Sequence, residues 1–194
     1  SWVLLRTIAD MKKEGGNMQE VLDFWFKEIT PSDWFKKDAS LDEEIRQRFL
    51  KTLEQAKQGE LFEWRNSIEG RLAEIIVLDQ FSRNIYRNDH RAFAQDSLAL
   101  ILAQEAVYGE ERMKLSAAER SFLYMPFMHS ESKGIHKQAV ILFEELGDDD
   151  TTKYEYLHKD IIDRFGRYPH RNNALNREST IEEIEFLKQP NSSF

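Results

Sequence analysis

Three times in this chain a Ser or Thr stands three residues before a Glu, at the head of an apolar run with helical spacing: Ser40 and Glu43, Ser116 and Glu119, Thr180 and Glu183. In such a capping box the hydroxyl accepts from one free backbone N–H of the first helical turn while the carboxylate accepts from another. A chain that signals helix starts this often, and nowhere alternates apolar and polar residues over the length of a strand, is constrained to be helical. Only 8 Gly and 4 Pro are present, too few turn residues for a many-stranded sheet.

Apolar residues recur at steps of three and four. Val21, Leu22, Trp25, Phe26 and Ile29 predict a first helix, ended by Thr30-Pro31-Ser32-Asp33, with Trp34 and Phe35 then plugging the core. The box at Ser40 opens a helix through Ile45, Phe49, Leu53 and Ala56, stopped by Gly59. The next spans about Ile68 to Asp79. Its Ile75-Ile76-Val77-Leu78 run is apolar on every face, the mark of a helix buried all round. Phe81 to Asn88 reads as a helix end and loop. A long helix from about Arg91 to Tyr108 turns Leu98, Ile101, Leu102 and Ala106 inward.

The box at Ser116 opens a helix carrying Phe122, Leu123, Met125 and Phe127, which Pro126 ends or kinks. Ser132 starts a helix that stops at Gly147. Asp148-Asp149-Asp150 then suits the positive end of another, and lacks the alternating ligands and central Gly of a calcium loop. That helix presents Tyr154, Leu157, Ile161 and Phe165; Thr180 opens a last one through Ile184 and Leu187. The fold class expected is all-α, about eight helices stacked as degenerate antiparallel pairs in a tetratricopeptide-like manner, without a strict period of about 34 residues.

One domain over residues 18–190 is expected, with 1–17 as a loosely ordered extension or an expression remnant and 191–194 as a tail. No apolar run approaches the roughly 20 residues of a membrane helix. The net charge of −8 argues against nucleic acid and anionic membranes as partners. Without cysteine there are no disulfides and no thiolate chemistry, which fits a cytoplasmic setting. No metal spacing such as H-E-x-x-H appears, and no cofactor is implied.

Three polar stretches interrupt the helical pattern. Asp79-Gln80-Phe81-Ser82-Arg83-Asn84, followed by Arg87, sets Asp79, Arg83 and Arg87 on one face if the helix persists. His129-Ser130-Glu131-Ser132 places an imidazole beside a carboxylate, an arrangement suited to acid–base chemistry, with the serines as caps. The third is Arg164-Phe165-Gly166-Arg167-Tyr168-Pro169-His170-Arg171-Asn172-Asn173, continued by Arg177-Glu178-Ser179. Gly166 ends a helix there and Pro169 stops it resuming. Guanidinium forks suit carboxylate or phosphate, and rings among them imply burial, where a charge needs a partner.

These stretches, with Val21-Leu22-Asp23-Phe24-Trp25-Phe26 and Trp34-Phe35-Lys36-Lys37-Asp38, occur in the order seen in the bacterial "domain of unknown function 924" family. The chain resembles that family over essentially residues 18–190. The resemblance implies an all-helical, tetratricopeptide-like fold, and it brings no activity and no catalytic residues with it.

The first functional reading is a polar pocket that holds a small anion, a phosphate or carboxylate, through Arg83, Asn84, Arg167, Arg171 and Arg177, supported by Asp79, Tyr168, Asn172 and Glu178. If it is an enzyme, His129 with Glu131 or His170 supplies the acid–base pair; binding without a reaction is favoured. The second is an interaction module whose groove takes an acidic peptide. The third is a buried polar network, with Asp79, Glu131 or Glu178 neutralising the arginines, and no ligand.

Overall fold

The computed structural model describes residues 17–194. The expected extension at 1–17 thus lies outside the described residues, save Asn17, whose side chain caps the first helix. Eight helical rods follow: α1 (Met18–Asp23, continued by a π turn Phe24–Glu28), α2 (Ala39–Lys57), α3 (Ile68–Ile76, a π turn Val77–Phe81, then Ser82–Ile85), α4 (Asp96–Val107), α5 (Ala117–Met128), α6 (Lys133–Leu146), α7 (Asp149–Phe165) and α8 (Ile181–Leu187). Short 3-10 turns join several of them, and no strand occurs among the described residues.

The capping boxes at Ser116 and Thr180 form with both of their hydrogen bonds, and Ser67, Ser132 and Asp148 cap α3, α6 and α7. Ser40 does not cap. Asp38 stands two residues earlier with extended backbone, and its carboxylate accepts from the backbone N–H groups of Ser40 and Leu41, so α2 starts at Ala39. With the helix begun two residues earlier, the Ser40 N–H is itself one of the free donors of the first turn, and Ser40 lies inside the helix instead of at its cap. Gly166 closes α7 at φ 71°, a left-handed backbone that any side chain would strain. Pro169 opens a 3-10 turn, Pro169–Arg171, where its missing N–H is harmless.

The all-apolar run of α3 lies at the centre. Leu72, Ala73, Ile75, Ile76, Val77, Leu78 and Phe81 are fully buried, and the rod packs on α1, α2, α4 and α5. From α4 to α7 each helix packs on the next in sequence, α4 on α5, α5 on α6, α6 on α7, while α8 packs on the 3-10 turn Pro169–Arg171. Ile161, Ile162 and Tyr168 form a second small core, flanked by Phe165 and Phe186.

Further expectations are refined or corrected. Phe81–Asn88 is a helix end followed by a loop, as expected, but the rod runs on past Asp79 to Ile85 before the loop begins. The helix expected from Arg91 starts at Asp96, after a 3-10 turn His90–Ala92. Ile101 and Tyr154 point outward, 56% and 52% exposed, as does Phe35, while Glu155 and His158 are turned inward. Of the two outcomes expected at Pro126, a helix end or a kink, the first does not occur: α5 continues to Met128.

Candidate functional site

The π turn of α3 places Asp79 where α3, α5 and the segment after α7 meet. Such turns close a hydrogen bond one residue longer than α and re-aim the side chains around them. Asp79 is buried. Its Oδ1 takes His129 Nδ1 at 2.7 Å and Arg83 Nη1 at 3.3 Å, while Oδ2 accepts from Gln80 Nε2 at 2.8 Å. Burial alone would raise this carboxyl, but His129, Arg83 and Gln80 together hold it below its ordinary value.

His129 ends α5 as its C-cap. Burial and the Arg83 charge lower its proton affinity, against the pull of Asp79. The ring is therefore neutral near pH 7, with its proton on Nδ1 facing the carboxylate. Nε2 has no hydrogen-bond partner among the described residues, and the side chain keeps 13% exposure at the wall of a cleft.

Arg83 grips Asp96 of α4 with both Nη atoms, at 2.7 and 3.0 Å. Arg171 lies between the rings of Phe93 and Tyr168, each 4.6 Å from its guanidinium carbon. Its Nη2 donates to the carbonyl of His129 at 2.9 Å, its Nη1 stands 3.4 Å from Asp96 Oδ2, and its Nε has no partner. Burial lowers its proton affinity and Arg83 adds to that, while Asp96 and Glu131 oppose.

Arg177 holds Glu131 by a fork, at 2.9 and 3.1 Å, and also donates to Asn172 Oδ1 and the Tyr168 carbonyl. Glu131 accepts in addition from the Tyr168 backbone N–H at 2.7 Å. Burial works against its ionised form, but Arg177 and that N–H carry its carboxyl below the usual range. Three arginines (83, 171 and 177) thus face three carboxylates (79, 96 and 131), and the cluster is close to neutral without any ligand.

The other expected site residues lie further off. Arg167 is committed to Glu183, at 2.9 and 2.7 Å, and to the backbone carbonyl of Glu178. Its hydrogen bonds to Glu183 bring that carboxyl down to about 2. Asn172 supports the same corner through Ser179 and Glu183. Asn84 and Arg87 both turn to Asp42 of α2, so Arg87 does not join Asp79 and Arg83. His170 does not line the cleft; its ring packs by Tyr168 and Phe194, its Nδ1 is unpartnered, and burial takes it down to about 3.

Beside the cluster the cleft has a volume of 390 Å³ and is lined by His90, Phe93, Ala94, Asp96, Ser97, Leu100, Pro126, His129, Ser130, Glu131, Arg171 and Leu175. Asp96 is the member of the charged cluster that no local pattern marks. In the first turn of α4 it reads as a complement to the helix dipole, and nothing local ties it to Arg83.

A second histidine–carboxylate pair lies behind the first. His136 Nδ1 sits 2.9 and 3.1 Å from the two oxygens of Glu155, and Nε2 meets the Ser130 carbonyl at 2.6 Å and Tyr168 Oη at 3.0 Å. Tyr168 Oη donates to the Met128 carbonyl at 2.5 Å. Nε2 must give its proton to Ser130, so a further proton lies between Nδ1 and Glu155, because two acceptors do not face each other at that distance. Burial raises the Glu155 carboxyl, opposed by His136. Among the described residues no group of three or more His, Asp or Glu is arranged to hold a metal ion, and no helix is long and apolar enough to cross a membrane.

A family model described as "Bacterial protein of unknown function (DUF924)" matches residues 21–191, and the chain belongs to that family. The chain is also similar to a solved structure from Agrobacterium tumefaciens, a protein of unknown function called ATU0120. The two are 37% identical over 88% of this chain and 96% of that one, with a TM-score of 0.84. No curated protein matches the chain.

Proposed function

We propose that this family member binds a small monoanion, a carboxylate in preference to a phosphate dianion, in the cleft where Arg171 and His129 meet. The observation that carries the reading is the unequal satisfaction of the arginines. Arg83, Arg167 and Arg177 each spend a two-pronged fork on a carboxylate, whereas Arg171 has one ion pair at 3.4 Å, one carbonyl and an unpartnered Nε. A buried guanidinium short of acceptors favours an incoming oxygen. The near balance of three positive and three negative groups leaves room for one added negative charge, and Asp96 and Glu131 in the same wall repel a second.

Arg83 and Arg177 then serve as scaffold, which joins the ligand reading to the network reading. An extended acidic peptide has less support, because the cleft is a short pocket rather than a groove along the helix stack. Thermal unfolding with butyrate or with inorganic phosphate tests the proposal. Ligand at 100 times its Kd stabilises by about 2.7 kcal/mol, which for a chain of this size is a rise of roughly 5–10 °C. Butyrate is expected to give such a rise, with phosphate weaker and Arg171→Met abolishing both. Equal, unsaturable effects of both anions on wild type and Arg171→Met would sink it.

A further inference from the structure

We propose that the cleft is also catalytic: His129 Nε2 acts as general base on a water that hydrolyses a short acyl ester, with Asp79 as the positioning residue behind the ring. The choice of a carboxylate-bearing ester rests on the binding reading above; the base itself does not.

The geometry gives the roles. A histidine can take a proton from water only if one ring nitrogen carries a free lone pair that reaches the reacting space. Asp79 accepts from Nδ1 at 2.7 Å, which fixes the tautomer and the ring plane and leaves the lone pair on Nε2. Asp79 cannot swing away, since Arg83 and Gln80 hold its two oxygens and the whole side chain is buried. Nε2 is free of protein partners, and the ring forms part of the cleft wall beside Arg171. A carboxylate orienting an imidazole whose other nitrogen is open is the orienter–base half of the relay used in acyl transfer.

In the reaction, the water oxygen bonds to the acyl carbon as its proton passes to Nε2. The imidazolium that forms is stabilised by the Asp79 carboxylate. The acyl carbon–oxygen bond then breaks, and the departing oxygen recovers the proton from Nε2. Water and ester become carboxylic acid and alcohol, with no other reactant. Arg171 holds the remote carboxylate of the ester.

The probes are mono(4-nitrophenyl) succinate and 4-nitrophenyl acetate with the wild-type protein; His90, an exposed ring that also lines the cleft, is checked by His90→Gln, and a rate that falls with His90 and not with His129 would overturn the proposal. His129→Gln is expected to lower kcat/KM for both esters about 100-fold. Asp79→Asn should lower kcat with little change in KM and shift the acid limb of the pH profile. The charged and titratable groups facing the ring are Asp79 and Arg83 from α3, Asp96 from α4 and His158 from α7, with Arg171 on its carbonyl. Because Asp79→Asn touches a buried carboxylate, wild-type protein supplies an independent measure. Ring ¹⁵N spectra should show His129 with its proton on Nδ1 at pH 7.

Hydrolysis no faster than that of free imidazole at equal concentration, equal rates in wild type and His129→Gln, or a proton on Nε2 would each overturn the proposal. The binding reading fails separately. If Arg171→Met leaves KM for the succinyl ester unchanged while His129 still governs the rate, the base stands and the carboxylate site does not.

Discussion

Two histidines of this fold each hold a carboxylate through Nδ1, His129 with Asp79 and His136 with Glu155, and the pairs differ in what the other ring nitrogen does. His136 and Glu155 have no exposed side-chain surface, and Nε2 is closed by a backbone carbonyl and a tyrosine hydroxyl. His129 stands at a cleft with Nε2 open. The His136–Glu155 pair ties α6 to α7 with both ring nitrogens occupied; the His129–Asp79 pair has the same bond and a spare lone pair. What separates a lock from a tool here is one hydrogen bond, which neither residue type nor burial alone would reveal.

Acid should separate the pairs most strongly. Asp79 and His129 both have lowered affinity for protons when folded, as do His158 and His170. For the histidines, the unfolded chain takes up protons from pH 6.5 downward while the folded one declines them. Their stability contribution is therefore present above about 6.5 and lost as pH falls towards the folded values, near 3 for His170. Each costs about 1.4 kcal/mol per pH unit in that window. Glu155 has the opposite sign: its raised folded value gives a contribution present below about 4.5 and lost as pH rises through it. Urea unfolding between pH 7 and 4.5 should show a loss of several kcal/mol, on the order of one global stability unit of such a domain. A flat profile would mean these histidines are not neutral in the fold.

The lock should also be the pair that is costlier to break. Glu155→Ala, leaving His136 buried without its partner, is expected to lose about 3–5 kcal/mol by urea unfolding; a loss under about 1 kcal/mol would remove its structural role. Arg171→Met comes next, at about 2 kcal/mol, since the stem still packs between Phe93 and Tyr168 but the carbonyl of His129 loses a charged donor. His129→Gln should cost least, about 1 kcal/mol, because the amide can still donate to Asp79 and nothing depended on Nε2. If it cost as much as Glu155→Ala, the two pairs would be the same kind of structure and the comparison would collapse.

The helices were legible because caps and apolar spacing are local. Ser116, Thr180, Ser132, Asp148, Gly147 and Gly166 do what their residue types dictate. The π turn was not, since a widened turn changes no residue preference, and so the point at which the helix gives way to loop, after Ile85, is not marked in the sequence. Glu155 and His158 were missed for a related reason. Periodicity counts apolar residues, and on α7 it favoured Tyr154 although the buried face carries the polar pair. The three polar stretches do converge in part: His129, Glu131, Arg171 and Arg177 join Asp79 and Arg83. The division among them was hidden, because Asp96 meets Arg83 from 13 residues away and Glu131 meets Arg177 from 46. Local sequence carries no trace of such pairings.

The widened turn Val77–Phe81 also stores a residue. A π turn closes one residue later than an α turn, so it takes up one residue more than the helix on either side needs. Removing one residue within it would let α3 close as a regular helix with Ile76 and Arg83 still on their present faces. Arg83 would keep Asp96 and Asn84 would keep Asp42, whereas Asp79, which lies inside the turn, would lose its aim at His129. A single-codon deletion in the middle of the most buried rod is thus absorbed by the helices around it and felt by the one carboxylate that the surplus residue presents.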